Sequence, residues 1–144
     1  LCGGGNRYAT HLLKNVRSSG SGALEYVYDA EPVERVEMSS ENLSAVLAGM
    51  HDLATDGAVS QYFKDCIVDA AAKTGTVQTG DTKNNNGAFV CFAPYDDPQI
   101  AVAIVIEKGG SGAALASTAV QVLNAYFSNT SASSAITGEN TLLG

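Results

Sequence analysis

Two nearly continuous apolar runs late in the chain, residues 88–93 and 99–107, leave little choice of local structure. Phe and Val mark the first run and Ile and Val crowd the second, as β-strands prefer. The five residues between them, Pro94-Tyr95-Asp96-Asp97-Pro98, are turn formers. Two such runs across so short a turn predict an antiparallel hairpin. Neither run alternates apolar with polar, so both faces of the hairpin are expected to be covered.

A third run precedes the hairpin. Residues 67–79 read as a strand that starts small and apolar in Asp69-Ala70-Ala71-Ala72 and turns polar at Lys73-Thr74-Gly75-Thr76. An Asn-rich loop, residues 80–87, links it to the hairpin. The residue types in that cluster suit an anionic ligand. Lys73 brings a compact positive charge, and the Thr74 and Thr76 hydroxyls can donate to a carboxylate. Gly75 lets a ligand lie close to the backbone. On an edge strand, free N–H and C=O groups can pair with an extended peptide or donate to an oxyanion. Taken alone, the same four residues also describe an ordinary strand end with a solvated lysine.

The rest of the chain supplies helices and surface. Residues 11–17 and 24–29 are short extended segments flanking Ser18-Ser19-Gly20-Ser21-Gly22, which predicts a surface hairpin. Residues 33–38 are extended. Ser39 or Ser40 then caps a helix through residue 56, with Glu41 in its first turn, and Gly57 stops it. Leu43, Val46, Leu47, Met50, Leu53 and Ala54 form its apolar stripe. Residues 58–65 read as an irregular connection. A last helix over residues 113–127 puts Leu115, Ala119, Val122, Leu123 and Tyr126 on one side, and residues 128–144, rich in Ser and Thr, read as a tail with little structure. Gly109-Gly110-Ser111-Gly112 lacks the Gly-Lys-Ser/Thr of a nucleotide loop and reads as a tight connection.

Composition closes off several functions. In 144 residues, 45% hydrophobic, there is enough for one domain with a core. The net charge of -7 argues against a nucleic-acid partner. The longest apolar run, residues 100–106, is well short of the roughly 20 residues that span a bilayer. The first five residues have no basic start or apolar core of a signal peptide. Cys2, Cys66 and Cys91 lack metal-ligand spacing, and Cys91 reads as a buried thiol. His11 and His51 have no Cys, Asp or Glu at ligand spacing, so neither a metal nor a cofactor is expected.

The order of these parts carries a resemblance. A strand ending in Lys73-Thr74-Gly75-Thr76, a polar loop, the hairpin from Gly87 through Gly110 and a final helix closely resemble the end of the transpeptidase domain of class B penicillin-binding proteins. Upstream, Gly4-Gly5-Asn6-Arg7-Tyr8-Ala9-Thr10-His11-Leu12-Leu13 looks like the segment after that family's second motif. Ser39-Ser40-Glu41-Asn42-Leu43 with Gly49-Met50 looks like its helix before the Lys-Thr-Gly strand. The likeness covers residues 1–127. It implies an α+β fold: an antiparallel sheet of three strands with the C-terminal helix and one further helix packed on it, part of a penicillin-binding/β-lactamase-like domain. It also implies acyl transfer on a peptidoglycan stem peptide or a β-lactam, at the extracytoplasmic face of the bacterial membrane in the intact protein. Lys73 then lines the groove and keeps its field positive. Thr74 and Thr76 hold the donor carboxylate against Gly75, and the Thr76 backbone N–H is an oxyanion donor.

The departures from the family matter as much. It acylates a serine in Ser-x-x-Lys and relays protons through Ser-x-Asn, and no Ser-x-x-Lys occurs here. Ser60 and Lys64 are one residue too far apart, and Ser40-Glu41-Asn42 falls where the family has a helix cap. The expectation is therefore a C-terminal piece of the domain, inactive alone, that needs its N-terminal half. The strand over residues 99–107 is then expected to expose an apolar edge open to self-association. A piece of a serine β-lactamase or β-lactam sensor, and a non-catalytic peptide-binding module, stay open as alternatives.

Overall fold

A computed structural model describes residues 5–78, 80 and 85–136. The chain divides into two compact units, Leu1–Leu43 and Ser44–Gly144.

The first unit is two small antiparallel ribbons. β1 (Asn6–Tyr8) pairs with β4 (Pro32–Arg35), and β2 (Asn15–Arg17) pairs with β3 (Leu24–Val27). The β2–β3 hairpin is the one the Ser/Gly turn predicts, closed by Ser18 N–H donating to the Ala23 carbonyl and Gly22 N–H to the Ser18 carbonyl. The β1–β4 pairing joins segments more than twenty residues apart, which no local pattern signals. An Arg7 Nε–Glu34 Oε2 ion pair of 2.7 Å spans it. None of the described residues of this unit is buried.

Helix α1 (Ser40–Thr55) starts at Ser39, whose hydroxyl accepts from Asn42 N–H at 3.2 Å and whose carbonyl accepts from Leu43 N–H. Ser40 is thus a first-turn residue beside a cap. Leu43, Leu47, Met50 and Leu53 are half-buried at helical spacing, Val46 is exposed, and only Ala54 is fully buried. The helix therefore meets the core by its C-terminal end. Residues 58–65, expected to be irregular, include a one-turn helix α2 (Ser60–Phe63).

The second unit is built on a three-stranded antiparallel sheet in the order β5 (Ala71–Val77), β6 (Asn86–Ala93), β7 (Ile100–Ile106). The register is unbroken: Ala72 faces Cys91 and Gly75 faces Ala88, while Val90 faces Ala103. β5 is shorter than the 67–79 expected: residues 67–70 lead in without pairing, and Thr79 lies outside the described residues. A 3-10 turn (Gly112–Leu115), capped by Ser111 Oγ accepting from Ala113 N–H, leads into α3 (Ala116–Ile136).

α3 covers one face of the sheet. Ala116, Ala119, Leu123 and Phe127 pack with Ala72, Phe89, Cys91 and Ala93, and Phe63 of α2 joins them with its ring 6.4 Å from that of Phe89. The buried stripe is rotated from the one expected. Ala116, Val120 and Phe127 are inside, whereas Val122 and Tyr126 are exposed. The small Ala116 and Ala119 let the helix backbone approach the sheet, and that sets the rotation.

Two further expectations are corrected. The tail does not begin at residue 128, since α3 runs on to Ile136. No Gly or Pro interrupts residues 113–137, so nothing in the chain stops the helix at Phe127. Nor are both faces of the hairpin fully covered. The face opposite α3 is closed at Ala71 and Phe92 but open toward Val90 and Val105, the latter 71% exposed.

Candidate functional site

The Lys73-Thr74-Gly75-Thr76 cluster lies in the middle of β5, and β5 is an edge strand among the described residues, paired only with β6. Alternation divides the cluster between two faces. Lys73 and Gly75 share the open face with Val90 and Ala88. Thr74 and Thr76 share the α3 face with Phe89 and Gly87. Thr74 is half-buried there, while Lys73 and Thr76 are exposed. Lys73 Nζ donates to the Thr74 carbonyl at 2.6 Å, so the cation lies along the backbone of its own strand.

Two glycines fix this strand from behind. Gly87, opposite Thr76, leaves room for the Ser111 carbonyl and the Leu115 side chain. Gly112, the first residue of the 3-10 turn, lies directly on the ladder, where a Cβ would run into the carbonyls of Gly75 and Ala88 and come within 2.9 Å of Gly75 N. The Gly109-Gly110-Ser111-Gly112 segment is thus the connection expected of it, and its last glycine presses on the centre of the cluster.

The strand is also anchored at its entry. His51 Nε2 of α1 lies 3.0 and 2.9 Å from the two carboxylate oxygens of Asp69, and its ring stacks on Tyr95 at 4.2 Å. Tyr95 N–H donates to the Asp69 carbonyl at 3.0 Å. Asp69, two residues before β5, thereby ties the end of α1 to the β6–β7 turn. The pair is partly solvated, so its own contribution is about 1 kcal/mol or less. No partner for His51 is legible in the sequence, because Asp69 is 18 residues away in the segment before β5. His11 stacks on Tyr28 at 3.6 Å. Among the described residues no three His, Cys, Asp or Glu side chains converge as a metal site would require.

The serines that the sequence singles out lie on helices and not on β5. Ser60 is on α2, four residues before Lys64, and Ser40 is on the first turn of α1. Among the described residues, no helix is long and apolar enough to cross a membrane.

Known proteins are similar to this chain in sequence and in fold. The family model described as the penicillin-binding protein transpeptidase domain matches residues 1–127. Penicillin-binding protein 2A of Bacillus subtilis is 33% identical over 119 residues, which is 74% of this chain and 17% of that protein. Peptidoglycan D,D-transpeptidase MrdA of Escherichia coli K12 is 33% identical over 130 residues, 79% of this chain and 20% of that protein. The solved structure of penicillin-binding protein 2B from Streptococcus pneumoniae R6 superposes with a TM-score of 0.71 at 22% identity, over 87% of this chain and 22% of that one. The chain thus spans about a fifth of the length of the curated relatives it matches. With that match over residues 1–127, the chain belongs to the penicillin-binding protein transpeptidase domain family.

Proposed function

We propose that this chain supplies the Lys-Thr-Gly-Thr wall of a peptidoglycan D,D-transpeptidase site, and that the serine nucleophile comes from sequence outside these 144 residues. The substrate is the D-Ala-D-Ala end of a stem peptide, with β-lactams as its mimics, on the extracytoplasmic face of the membrane. The observation that carries the reading is a β5 edge that has no partner strand among the described residues and bears Lys73 and Thr76, both exposed.

The backbone supports the assigned roles. Lys73 Nζ reaches the Thr74 carbonyl, so that carbonyl is open on the free side of β5. Backbone groups of an antiparallel strand alternate sides with period two. The Thr76 N–H then faces the same free edge, where an oxyanion donor has to be. A donor peptide laid along this edge pairs with it as an added strand. Its terminal carboxylate meets the exposed Thr76 hydroxyl more readily than the half-buried Thr74 hydroxyl. Lys73 leaves the Thr74 carbonyl to neutralise the carboxylate end. Gly75 keeps the open face free of a side chain that would hold the ligand off.

Fluorescent penicillin tests this. The chain alone takes no covalent label. Mixed with an upstream half that carries Ser-x-x-Lys and Ser-x-Asn, it restores labelling on that half, and Lys73→Ala lowers the acylation rate about 100-fold, the scale of losing one electrostatic contact to a developing oxyanion. Rapid loss of the restored label by hydrolysis points instead to a β-lactamase. No restoration with a correctly folded upstream half leaves a non-catalytic peptide-binding module.

A further inference from the structure

One side chain holds the corner beyond the Lys73 cluster without reaching the reacting edge. Asn86 opens β6 opposite Val77, the residue after Thr76. Its Oδ1 accepts from Lys108 N–H at 2.9 Å, and the carbonyl of its neighbour Asn85 accepts from Gly110 N–H at 2.9 Å. These two bonds grip the turn that leaves β7. The turn is one that needs holding. Lys108 has a φ of 56° and, among the described residues, is the one non-glycine in the left-handed region, which a Cβ disfavours.

The held turn delivers Gly112, two residues after Gly110, against the carbonyls of Gly75 and Ala88. The Gly75 carbonyl and the Thr76 N–H belong to one planar peptide unit. They point to opposite sides of β5 and tilt together. A contact on the β6 side of that plane therefore sets the angle of the N–H on the free side.

We propose that Asn86 is a positioning residue for acyl transfer: through the Lys108–Gly110 turn and Gly112, its amide fixes the tilt of the Gly75–Thr76 peptide and so the aim of the Thr76 N–H. Its effect falls on acylation and not on capture of the ligand, because the oxyanion exists only once attack has begun. The effect on rate rests on the transpeptidase reading above. The tilt itself does not, and it can be followed in this chain alone.

Two measurements keep these apart. In the 15N-labelled chain, Asn86→Ala is expected to move the Gly75 and Thr76 amide resonances and to speed exchange of the Lys108 amide about tenfold, as loss of one hydrogen bond does. Asn86→Asp, which keeps an Oδ1 acceptor, leaves both near wild type. Adding Lys108→Gly, which adopts the left-handed backbone without help, returns the Gly75 and Thr76 resonances of Asn86→Ala toward wild type. In the chain mixed with its upstream half, Asn86→Ala lowers the penicillin acylation rate constant about tenfold at unchanged Kd, less than outright loss of an oxyanion donor costs. Asn86→Asp retains the rate, and Lys108→Gly restores most of it to Asn86→Ala. Unmoved Gly75 and Thr76 resonances, an unchanged acylation rate, a loss confined to Kd, or a loss that neither Asp nor Gly recovers overturns the proposal. A wild-type chain that never restores labelling overturns the transpeptidase reading instead, and the resonances still decide the tilt.

Discussion

At the scale of single residues, Gly112 decides more than its composition suggests. Its Cα lies where any side chain would enter the β5–β6 ladder at Gly75 and Ala88, so the obstacle is backbone and not a movable side chain. Gly112→Ala is expected to cost about 1–3 kcal/mol, as overpacking does, seen as a lower melting temperature. In the complemented enzyme it is expected to slow penicillin acylation as well, because the displaced strand carries Thr76. Unchanged melting and unchanged labelling together would show that the 3-10 turn does not brace the cluster. The sequence marked Gly112 only as part of a tight connection. The residue it presses on is 37 positions earlier, a distance no local pattern crosses.

At the scale of elements, β7 is the exposed liability. It runs Ile-Ala-Val-Ala-Ile-Val-Ile without a charge, a proline or a bulge, the devices that normally blunt an edge. Among the described residues its outer edge has no partner strand. Concentration-dependent self-association of the isolated chain is therefore expected in sedimentation velocity. Val105→Lys, which puts a charge on the open face without touching the α3 core, is expected to shift it toward monomer. A monomer at every concentration would show that the edge is protected by other means. The helices illustrate what periodicity can and cannot fix. Both apolar stripes were visible, yet α1 buries only its last turn and α3 is rotated toward its alanines, because the partner surface sets how deep and at what angle a stripe docks.

At the scale of the molecule, burial is uneven. The core sits entirely in the second unit, around Phe89, Cys91, Leu123 and Ala119, whereas no described residue of the first unit is buried. Amide exchange should follow that division. The β6 amides around Phe89 and Cys91 are expected to be the slowest in the chain, and those of β2 and β3 to exchange near the rate of an open peptide. Comparable protection in both units would mean that the first is far better packed than its exposure indicates. The same unevenness explains what was legible. The β5–β6–β7 sheet could be read because each strand is a local run of suitable residues bounded by turn formers. The β1–β4 ribbon could not, because its two halves are short, polar and far apart in sequence.

The sequence by itself determined the order of the three sheet strands and the two long helices, a cap at Ser39 or Ser40, the hairpin turns and the Lys73–Thr76 cluster, since each is written in side chains within a few positions of one another. The tertiary structure decided that β5 is an edge and that Thr74 is half inside while Thr76 is out. It decided that His51 belongs to Asp69 and Tyr95, that Gly112 bears on Gly75, and that Cys66 and Cys91 share a core. Those are contacts between residues separated by many turns of chain, and they exist only once the burial of α3 against the sheet has brought the segments together.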